Sequence, residues 1–225
     1  MDLRSLILVL SSALLAVSSF VYGWKFMKRR NYLLGVELWI VGISSTNAIG
    51  FFSTGSEALY EVSHFFDAFS RGFGMPIISV AGLMAVTHGY KPSIRQDIGV
   101  FLASFAGAFV LVGTSFMSGA LPYYYLLMWT LMSLYLVYFI KRLLGAGATL
   151  QAMALLLALV VSQAIACIND FYKIPGEETN VVFNFYTLAL CTWAYFEVAI
   201  YCAYCALDRA QNGRAAFGEP TPYSS

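Results

Sequence analysis

Residues 5–24, SLILVLSSALLAVSSFVYGW, decide the fold because they form an apolar stretch without a single charged residue. An α-helix rises about 1.5 Å per residue, so a stretch of this length crosses a hydrocarbon core about 30 Å thick. Four basic residues follow between Lys25 and Arg30, whereas a cleaved secretory signal carries its positive charge in front of the apolar segment. We therefore interpret residues 5–24 as an uncleaved first transmembrane helix.

Six further stretches are long and apolar enough to span a membrane: 33–52, 72–90, 97–118, 121–140, 148–169 and 182–206. They lack the long alternation of apolar and polar residues that is typical of transmembrane strands. The sequence therefore predicts an all-α, polytopic integral membrane protein with seven transmembrane helices. Residues 1–207 are expected to form one domain, and the polar residues 208–225 a disordered cytoplasmic tail.

The composition excludes several other classes of protein. Of the 225 residues, 60% are apolar and 11% are charged, whereas a soluble domain carries about 25% charged residues. The 13 basic and 12 acidic residues leave a net charge of +1, which argues against a nucleic-acid partner. Four cysteines are too few for a disulfide framework. The expected environment is the lipid bilayer.

The basic residues fall mainly in alternate connections between the predicted spans, and this pattern indicates an orientation. Ten of the thirteen lie on one side: Lys25, Lys28, Arg29, Arg30, Lys91, Arg95, Lys141, Arg142, Arg209 and Arg214. Positive charge is retained on the cytoplasmic side of a membrane. We therefore expect the N-terminus outside and the C-terminus inside, in a multi-pass protein of the cell membrane.

Two acids, Glu37 and Glu197, lie inside predicted spans, where a charge costs about 2.5–3.5 kcal/mol on insertion scales. No Lys or Arg within a span can pair with either of them. One interpretation is that both carboxyls line a common cavity and exchange a proton or bind a cation. The alternatives are that Glu37 extends to the cytoplasmic interface and that Glu197, in its protonated form, hydrogen-bonds to a neighbouring helix.

Further polar and aromatic residues within the spans are candidate binding residues. Trp193 and Tyr201 lie on the same helical face as Glu197, and this stripe predicts an aromatic-walled pocket. Asn47, in the Ser-Ser-Thr-Asn run of the second span, is a candidate lining residue or a hydrogen-bonding contact between helices. Gln163, in the sixth span, belongs to a polar face that we expect to open outward.

The run RGFGMP, from Arg71 to Pro76, lies at the predicted outer end of the third span. Its two glycines and proline favour an irregular first turn. Irregular backbone at membrane depth is tolerated where protein covers it or where it lines a watery cavity. Arg71 is accordingly a candidate for binding an anionic group, with an interfacial bend as the alternative. A helix over about 53–71 precedes the run, and on it we expect Asp67 and Arg71 to pair at i, i+4.

The same helix carries Glu61 and His64 with the Glu-x-x-His spacing of di-metal carboxylate sites. Such a site needs a second motif of this kind on a facing helix, and the sequence has none. With two histidines in the chain, on opposite sides of the predicted membrane, haem ligation by both is also disfavoured. We therefore expect no metal and no cofactor, and we assign no catalytic residue.

These features are compatible with three functions. The first is a small permease or facilitator that moves a small solute, coupled to protons through the intramembrane carboxyls. The second is a membrane-embedded enzyme acting on a lipid or isoprenoid substrate. The layout, with acids in an early and a late span, resembles the seven-helix membrane terpene cyclases, although the Ser-Ser-Thr-Asn run departs from the acidic motif of that family. The third is a receptor or complex subunit, working as a homo-oligomer or with a membrane partner.

Overall fold

The protein is built from seven membrane-length helices, as the sequence predicts. The computed structural model describes residues 2–114, 119–177, 180 and 182–216, and in these residues seven helices are long and apolar enough to cross a membrane. The segments are α1 (Leu3–Lys28), α2 (Tyr32–Thr54), α3 (Glu57–Phe69), a π-helix (Ser70–Ser79, π1), α4 (Val80–Thr87), α5 (Ile94–Gly113), α6 (Leu121–Gly145), α7 (Thr149–Phe171) and α8 (Phe185–Ala216). Residues 115–118 of the predicted fourth span lie outside the described part of the chain.

The third span is one continuous helix, Glu57–Thr87, made of α3, π1 and α4. The middle part, π1, contains Gly72, Gly74 and Pro76. A proline removes a backbone donor and clashes with the preceding turn of an α-helix, and π-helical turns, which are often found at functional sites, accommodate such a misfit. The irregular backbone expected at this place is therefore present as a widened helix and not as a break.

The two ends of the bundle are named here after the chain termini. The N-terminal end holds the beginning of α1, the α2–α3 turn at Gly55 and the beginning of α8. The C-terminal end holds the α1–α2 turn, the α4–α5 connection and the end of α8. Arg30 closes the α1–α2 turn in the left-handed region, with φ of 59°, and its backbone N–H donates to the carbonyl of Met27. This is the usual way in which a chain leaves a helix before reversing direction.

Glycines let α1 and α2 approach each other closely. A Cβ built on Gly23 would lie 2.9 Å from the carbonyl oxygen of Gly35, and a Cβ on Gly35 would lie 3.1 Å from that of Gly23. Small residues commonly serve this purpose between membrane helices. Asn31 then ties the pair to the third span, because its side chain caps α2 at Leu34 N and donates to the Gly82 carbonyl over 2.8 Å.

Six spans form a closed ring and α5 lies outside it. Neighbours around the ring are α1 and α2, α2 and the third span, the third span and α6, α6 and α7, α7 and α8, and α8 and α1. The helix α5 packs mainly against α3 and π1. On its outer face Leu102 and Phe109 are 65% and 67% exposed. Large apolar side chains exposed along membrane-length helices agree with a surrounding of lipid.

The interior of the ring differs between its two halves. Toward the C-terminal end it is filled by an apolar core to which α1, α2, α4, α6 and α8 contribute, with Phe26, Leu38, Leu83, Phe139 and Phe196 among its members. These side chains are almost completely buried, as expected of a close-packed interior. Toward the N-terminal end the ring instead encloses a cavity with polar and charged groups.

The last helix is longer than its predicted span, 182–206. It extends to Ala216, so residues 208–216, which we expected in a disordered tail, are helical. Two contacts with the C-terminal end of the bundle hold this extension. Asp208 forms an ion pair with Arg29 (2.8 Å), and the amide of Gln211 donates to the Val86 carbonyl. Residues 217–225 of the predicted tail lie outside the described residues.

Candidate functional site

A cavity of about 110 Å³ lies inside the ring, between α1, α2, α3, π1, α6 and α8; we call it the inner cavity. Most of its wall is apolar and includes the rings of Trp129 and Trp193. Its charged lining residues are Asp67, Arg71 and Glu197. Three residues singled out from the sequence, Arg71, Trp193 and Glu197, therefore meet in one place.

Glu197 is the deepest lining residue contributed by α8. It lies twelve residues, or about 18 Å, beyond the beginning of that helix, and it is 2% exposed. Its carboxyl accepts hydrogen bonds from the hydroxyls of Ser18 (2.8 Å) and Ser19 (2.7 Å) on α1. Glu197 therefore lines a cavity, as one interpretation expects of it, and is hydrogen-bonded to a neighbouring helix, as the other expects.

The two serines provide hydrogen bonds for either protonation state of Glu197. The hydroxyls of Ser18 and Ser19 also lie 2.9 and 2.8 Å from the carbonyl oxygen of Leu15, and a hydroxyl has one proton to donate. Both serines can donate to a charged carboxylate. When Glu197 is protonated, it can donate to one serine, and that serine donates to Leu15. The local geometry is thus suited to a carboxyl that gains and loses a proton.

Glu37 has very different surroundings. It is completely buried, and neither carboxyl oxygen has a hydrogen-bond partner among the described residues. The carboxyl lies against π1, where a Cβ built on Gly74 would be 2.7 Å from its Cδ atom. Glu37 therefore does not extend to the membrane interface, and it is not among the residues that line the inner cavity.

Arg71 is 7% exposed and its charge is already compensated. It pairs with Asp67 on α3 (3.3 Å), as the i, i+4 spacing predicts, and with Asp170 on α7. Its guanidinium also lies over the ring of Tyr125, 4.1 Å from the centroid, in a cation–π arrangement. One cation between two carboxylates leaves this group with an excess of negative charge, so it is poorly suited to capture an anion.

A second cavity, of about 290 Å³, lies on the side of the N-terminal end; we call it the outer vestibule. Its aromatic lining residues are Phe51, Phe52, Tyr60, Phe185 and Tyr186. The outer vestibule and the inner cavity share Ala48, Ser63, Asp67, Arg71 and Leu190 as lining residues. The two cavities adjoin at the Asp67–Arg71 pair, and we refer to these two cavities together as the passage; Glu197 lies in the wall of its inner part.

The other candidate binding residues within the spans, Asn47, Gln163 and Tyr201, do not line these cavities. Asn47 donates to the Leu59 carbonyl over 2.8 Å and so joins α2 to α3. Gln163 accepts a hydrogen bond of 2.7 Å from Ser133 and joins α7 to α6. Tyr201 packs against aromatic rings of α1 at the C-terminal end. It shares a face with Glu197 but lies one turn further along α8, where the apolar core fills the ring.

Sequence reasoning missed Ser18, Ser19 and Trp129, and it did not pair Asp170 with Arg71. For the serines a signal was present, because the pairs Ser11-Ser12 and Ser18-Ser19 recur seven residues apart on an otherwise apolar helix. Such a spacing places polar groups on one face, and a polar face within a membrane helix is expected to point toward protein or water. Trp129 and Asp170 gave no comparable signal, since each depends on contacts between distant parts of the chain.

A third cavity, of about 400 Å³, lies at the C-terminal end and has Arg29, Arg30, Lys91 and Asp97 among its lining residues. It shares no lining residue with the inner cavity. Within the described residues, no group of three or more His, Cys, Asp or Glu is placed to hold a metal ion.

No family model matches the chain, and no curated protein and no solved structure matches it either.

Proposed function

We propose that the protein is a small permease that binds a small solute in the inner cavity, in a state open toward the N-terminal end. The observation that carries the proposal is a pair of adjoining cavities, of which one lies at this end and the other has a buried carboxyl in its wall. Beyond Glu197 the apolar core fills the ring. A carrier needs a site at about the middle of the membrane that is reached from one side at a time, and the division of the ring into an open and a filled half meets that need.

The element that would move during transport is π1. It contributes Arg71 and Met75 to the cavity wall and presses Gly74 against Glu37. Rewinding π-helical turns into α-helical turns would rotate these residues relative to α4 and change the shape of the cavity. A carrier requires an element that can adopt two arrangements. The segment π1 would be this element, because its backbone could be wound either as a π-helix or as an α-helix.

Proton coupling would run through Glu197. Its two serine partners serve both protonation states, and the carboxyl lines the inner cavity, which adjoins the outer vestibule. Glu37 has no hydrogen-bond donor among the described residues that would stabilise a charge, so it would not ionise together with Glu197. One proton at a time would therefore be exchanged, with Glu197 as the exchanging group.

We further propose that the N-terminal end faces outward across the cell membrane, because the basic residues gather at the C-terminal end. This is tested on intact cells with a cysteine-free background and a thiol reagent that does not cross membranes. Thr54→Cys, at the N-terminal end, is expected to react, whereas Lys91→Cys, at the C-terminal end, is expected to react only after lysis. The reverse pattern would overturn the orientation but would leave the cavity assignment unchanged.

The permease is tested by reconstitution into vesicles that contain a pH-sensitive dye. A panel of small amines, carboxylates and amides is added outside, and the internal pH is followed. At least one solute is expected to change the internal pH in the wild type and not in Glu197→Gln. Glu61→Gln, which alters an exposed acid of α3 outside both cavities, is the matched control. If no solute moves in the wild type, the permease proposal fails.

A second candidate function is an embedded enzyme acting on a lipid or isoprenoid substrate. The observation that favours it is that the inner cavity is mostly apolar, ends blindly and has a carboxyl with its own hydrogen-bond partners at its end. Such a carboxyl is suited to serve as a general acid. An enzyme would convert isoprenoid substrates in detergent, without any vesicle or gradient, and would lose this activity in Glu197→Gln. A permease shows no such turnover.

A further inference from the structure

The ligand of the inner cavity can be assigned to a chemical class from the charges along the passage. We infer that the inner cavity binds a small organic cation, in exchange for the proton of Glu197. This inference rests on the permease proposal for its transport step, but the binding step can be measured separately.

The charges favour a cation over an anion. Arg71 is held by Asp67 and Asp170, so an anion would have to displace one of these carboxylates and would also approach Glu197. A cation meets the opposite situation, because Arg71 with its two carboxylates carries an excess of negative charge and Glu197 gains a negative charge when its proton leaves. Opposite charges at short range in a poorly hydrated site are strongly favoured over like charges.

The apolar part of the wall is also suited to a cation. The rings of Trp129 and Trp193 line the same space as Glu197, and aromatic faces attract organic cations, tryptophan most strongly. The wall of the outer vestibule is also aromatic, with five aromatic side chains among its lining residues. A carboxyl among aromatic rings is a common way to recognise an ammonium or amidinium group, which brings both a charge and apolar surface.

The volume limits the size of the cation. The inner cavity has about 110 Å³, and one water molecule takes up about 30 Å³ in the liquid. The cavity therefore has room for an amine or amidine with a few non-hydrogen atoms, and a larger cation would have to extend into the outer vestibule.

The exchange step is balanced in charge. With the site empty, Glu197 holds its proton and donates to one of its serines. When the cation enters, the O–H bond of the carboxylic acid breaks and the proton leaves through the water of the passage. Ser18 and Ser19 both turn to the carboxylate, and the cation takes the place of the proton. Transport then couples the movement of the cation in one direction to that of a proton in the other.

The titratable groups around Glu197 in the described residues are few. Glu37 on α2 is buried against π1 and is not among the residues that line the inner cavity. Asp67 and Arg71 line the same cavity, and Arg71 also contacts Asp170 on α7. The groups presented by α1 and α6 are Ser18, Ser19 and Trp129, which do not titrate near neutral pH. Glu197 is thus the group on the cavity wall whose proton a cation can replace without breaking an ion pair.

The experiment uses three probes of the same shape and different charge: acetamidinium, acetamide and acetate. The full-length protein in detergent is titrated with each, and binding is followed by tryptophan fluorescence, because Trp129 and Trp193 line the cavity. Proton release is measured with an indicator in weak buffer. We expect acetamidinium to bind about tenfold or more tightly than either other probe, with release of up to about one proton per cation bound.

Two acid variants locate the exchange. Glu197→Gln is expected to remove both the preference for acetamidinium and the proton release, whereas Glu61→Gln keeps both. Trp193→Leu provides a second test of the cation site if Glu197→Gln fails to fold. It keeps the carboxyl and is expected to bind acetamidinium several-fold more weakly, with proton release retained.

The outcomes separate this inference from the permease proposal. If acetate or acetamide binds as tightly as acetamidinium, or if none of the probes binds, the cation assignment is overturned. The permease proposal is then decided by the vesicle experiment alone. If acetamidinium binds with proton release but neither it nor any solute of the vesicle panel is transported, the cation site is supported and the permease proposal fails.

Discussion

The surroundings of Glu197 and of Glu37 differ although both carboxyls are buried in the same ring. Glu197 has two serine donors and faces a cavity, whereas Glu37 has no hydrogen-bond partner among the described residues and is packed against the backbone of π1. The difference teaches that burial alone does not define a functional acid. A carboxyl that is to change its charge needs donors for the charged form, and of the two acids Glu197 has them.

The packing around Glu37 suggests a different role for it. Its carboxyl fills the space that a side chain at position 74 would otherwise occupy, so the pair Glu37 and Gly74 sets how closely π1 approaches α2. Four experiments test this contrast between the two acids, beginning with the largest expected effect.

The first prediction concerns the contact between π1 and Glu37. Gly74→Ala would place a Cβ 2.7 Å from Cδ of Glu37, and both the helix backbone and the carboxyl are confined. We expect the free energy of unfolding to fall by about 1–3 kcal/mol or more, measured by thermal unfolding in detergent. Adding Glu37→Ala should recover part of the loss, because the clashing carboxyl is gone.

A matched control for this prediction is Gly99→Ala on α5, where a new Cβ would meet nothing within 4 Å. There we expect no loss, or a gain of up to about 1 kcal/mol from helix propensity. If Gly74→Ala is as well tolerated as Gly99→Ala, the proposed close contact at Glu37 is contradicted.

The second prediction replaces each acid by methionine, which has a similar length and no charge. Glu37→Met is expected to stabilise the protein by about 1–3 kcal/mol, because it removes a buried polar group without a partner. Glu197→Met is expected to destabilise it by about 1–2 kcal/mol, since two serine hydroxyls lose their acceptor. Melting temperatures in the same detergent check the signs. Two shifts in the same direction would mean that the two sites do not differ as described.

The third prediction concerns the donors of Glu197. Ser18→Ala and Ser19→Ala each remove one hydrogen bond to the carboxyl, and we expect a loss of about 1 kcal/mol for each. The control is Ser12→Ala on the same helix, whose buried hydroxyl has no partner among the described residues and whose removal should cost nothing. Equal losses at all three positions would indicate a general packing effect of α1 and not a site at Glu197.

The fourth and smallest effect is expected at the far end of α8. The ion pair of Arg29 with Asp208 is partly exposed, and such pairs contribute about 0–1 kcal/mol. Asp208→Asn should therefore lower the melting temperature slightly and leave probe binding in the inner cavity unchanged. A loss of probe binding in this variant would show that the two halves of the ring are coupled more strongly than the apolar core between them suggests.

Much of the fold was predictable because it depends on local properties of the chain. The seven spans follow from apolar length, and the irregular third span follows from glycine and proline at fixed positions. The pairing of Asp67 with Arg71 follows from helical spacing. The candidate site was only partly predictable. Arg71, Trp193 and Glu197 meet in the inner cavity, whereas Asn47, Gln163 and Tyr201 make contacts elsewhere, because the rotation and depth of a helix within the ring are set by its neighbours.

By itself the sequence determined that the chain forms seven apolar helices and that two of them carry an acid within the span, since hydropathy and helical period are read over about twenty adjacent residues. Only the tertiary structure decided which acid receives partners and which residues share a cavity. Ser19 and Glu197 are 178 residues apart in the chain, and Arg71 and Asp170 are 99 apart. Contacts at such separations depend on how whole helices pack, and that packing is a property of the complete ring, not of any one segment.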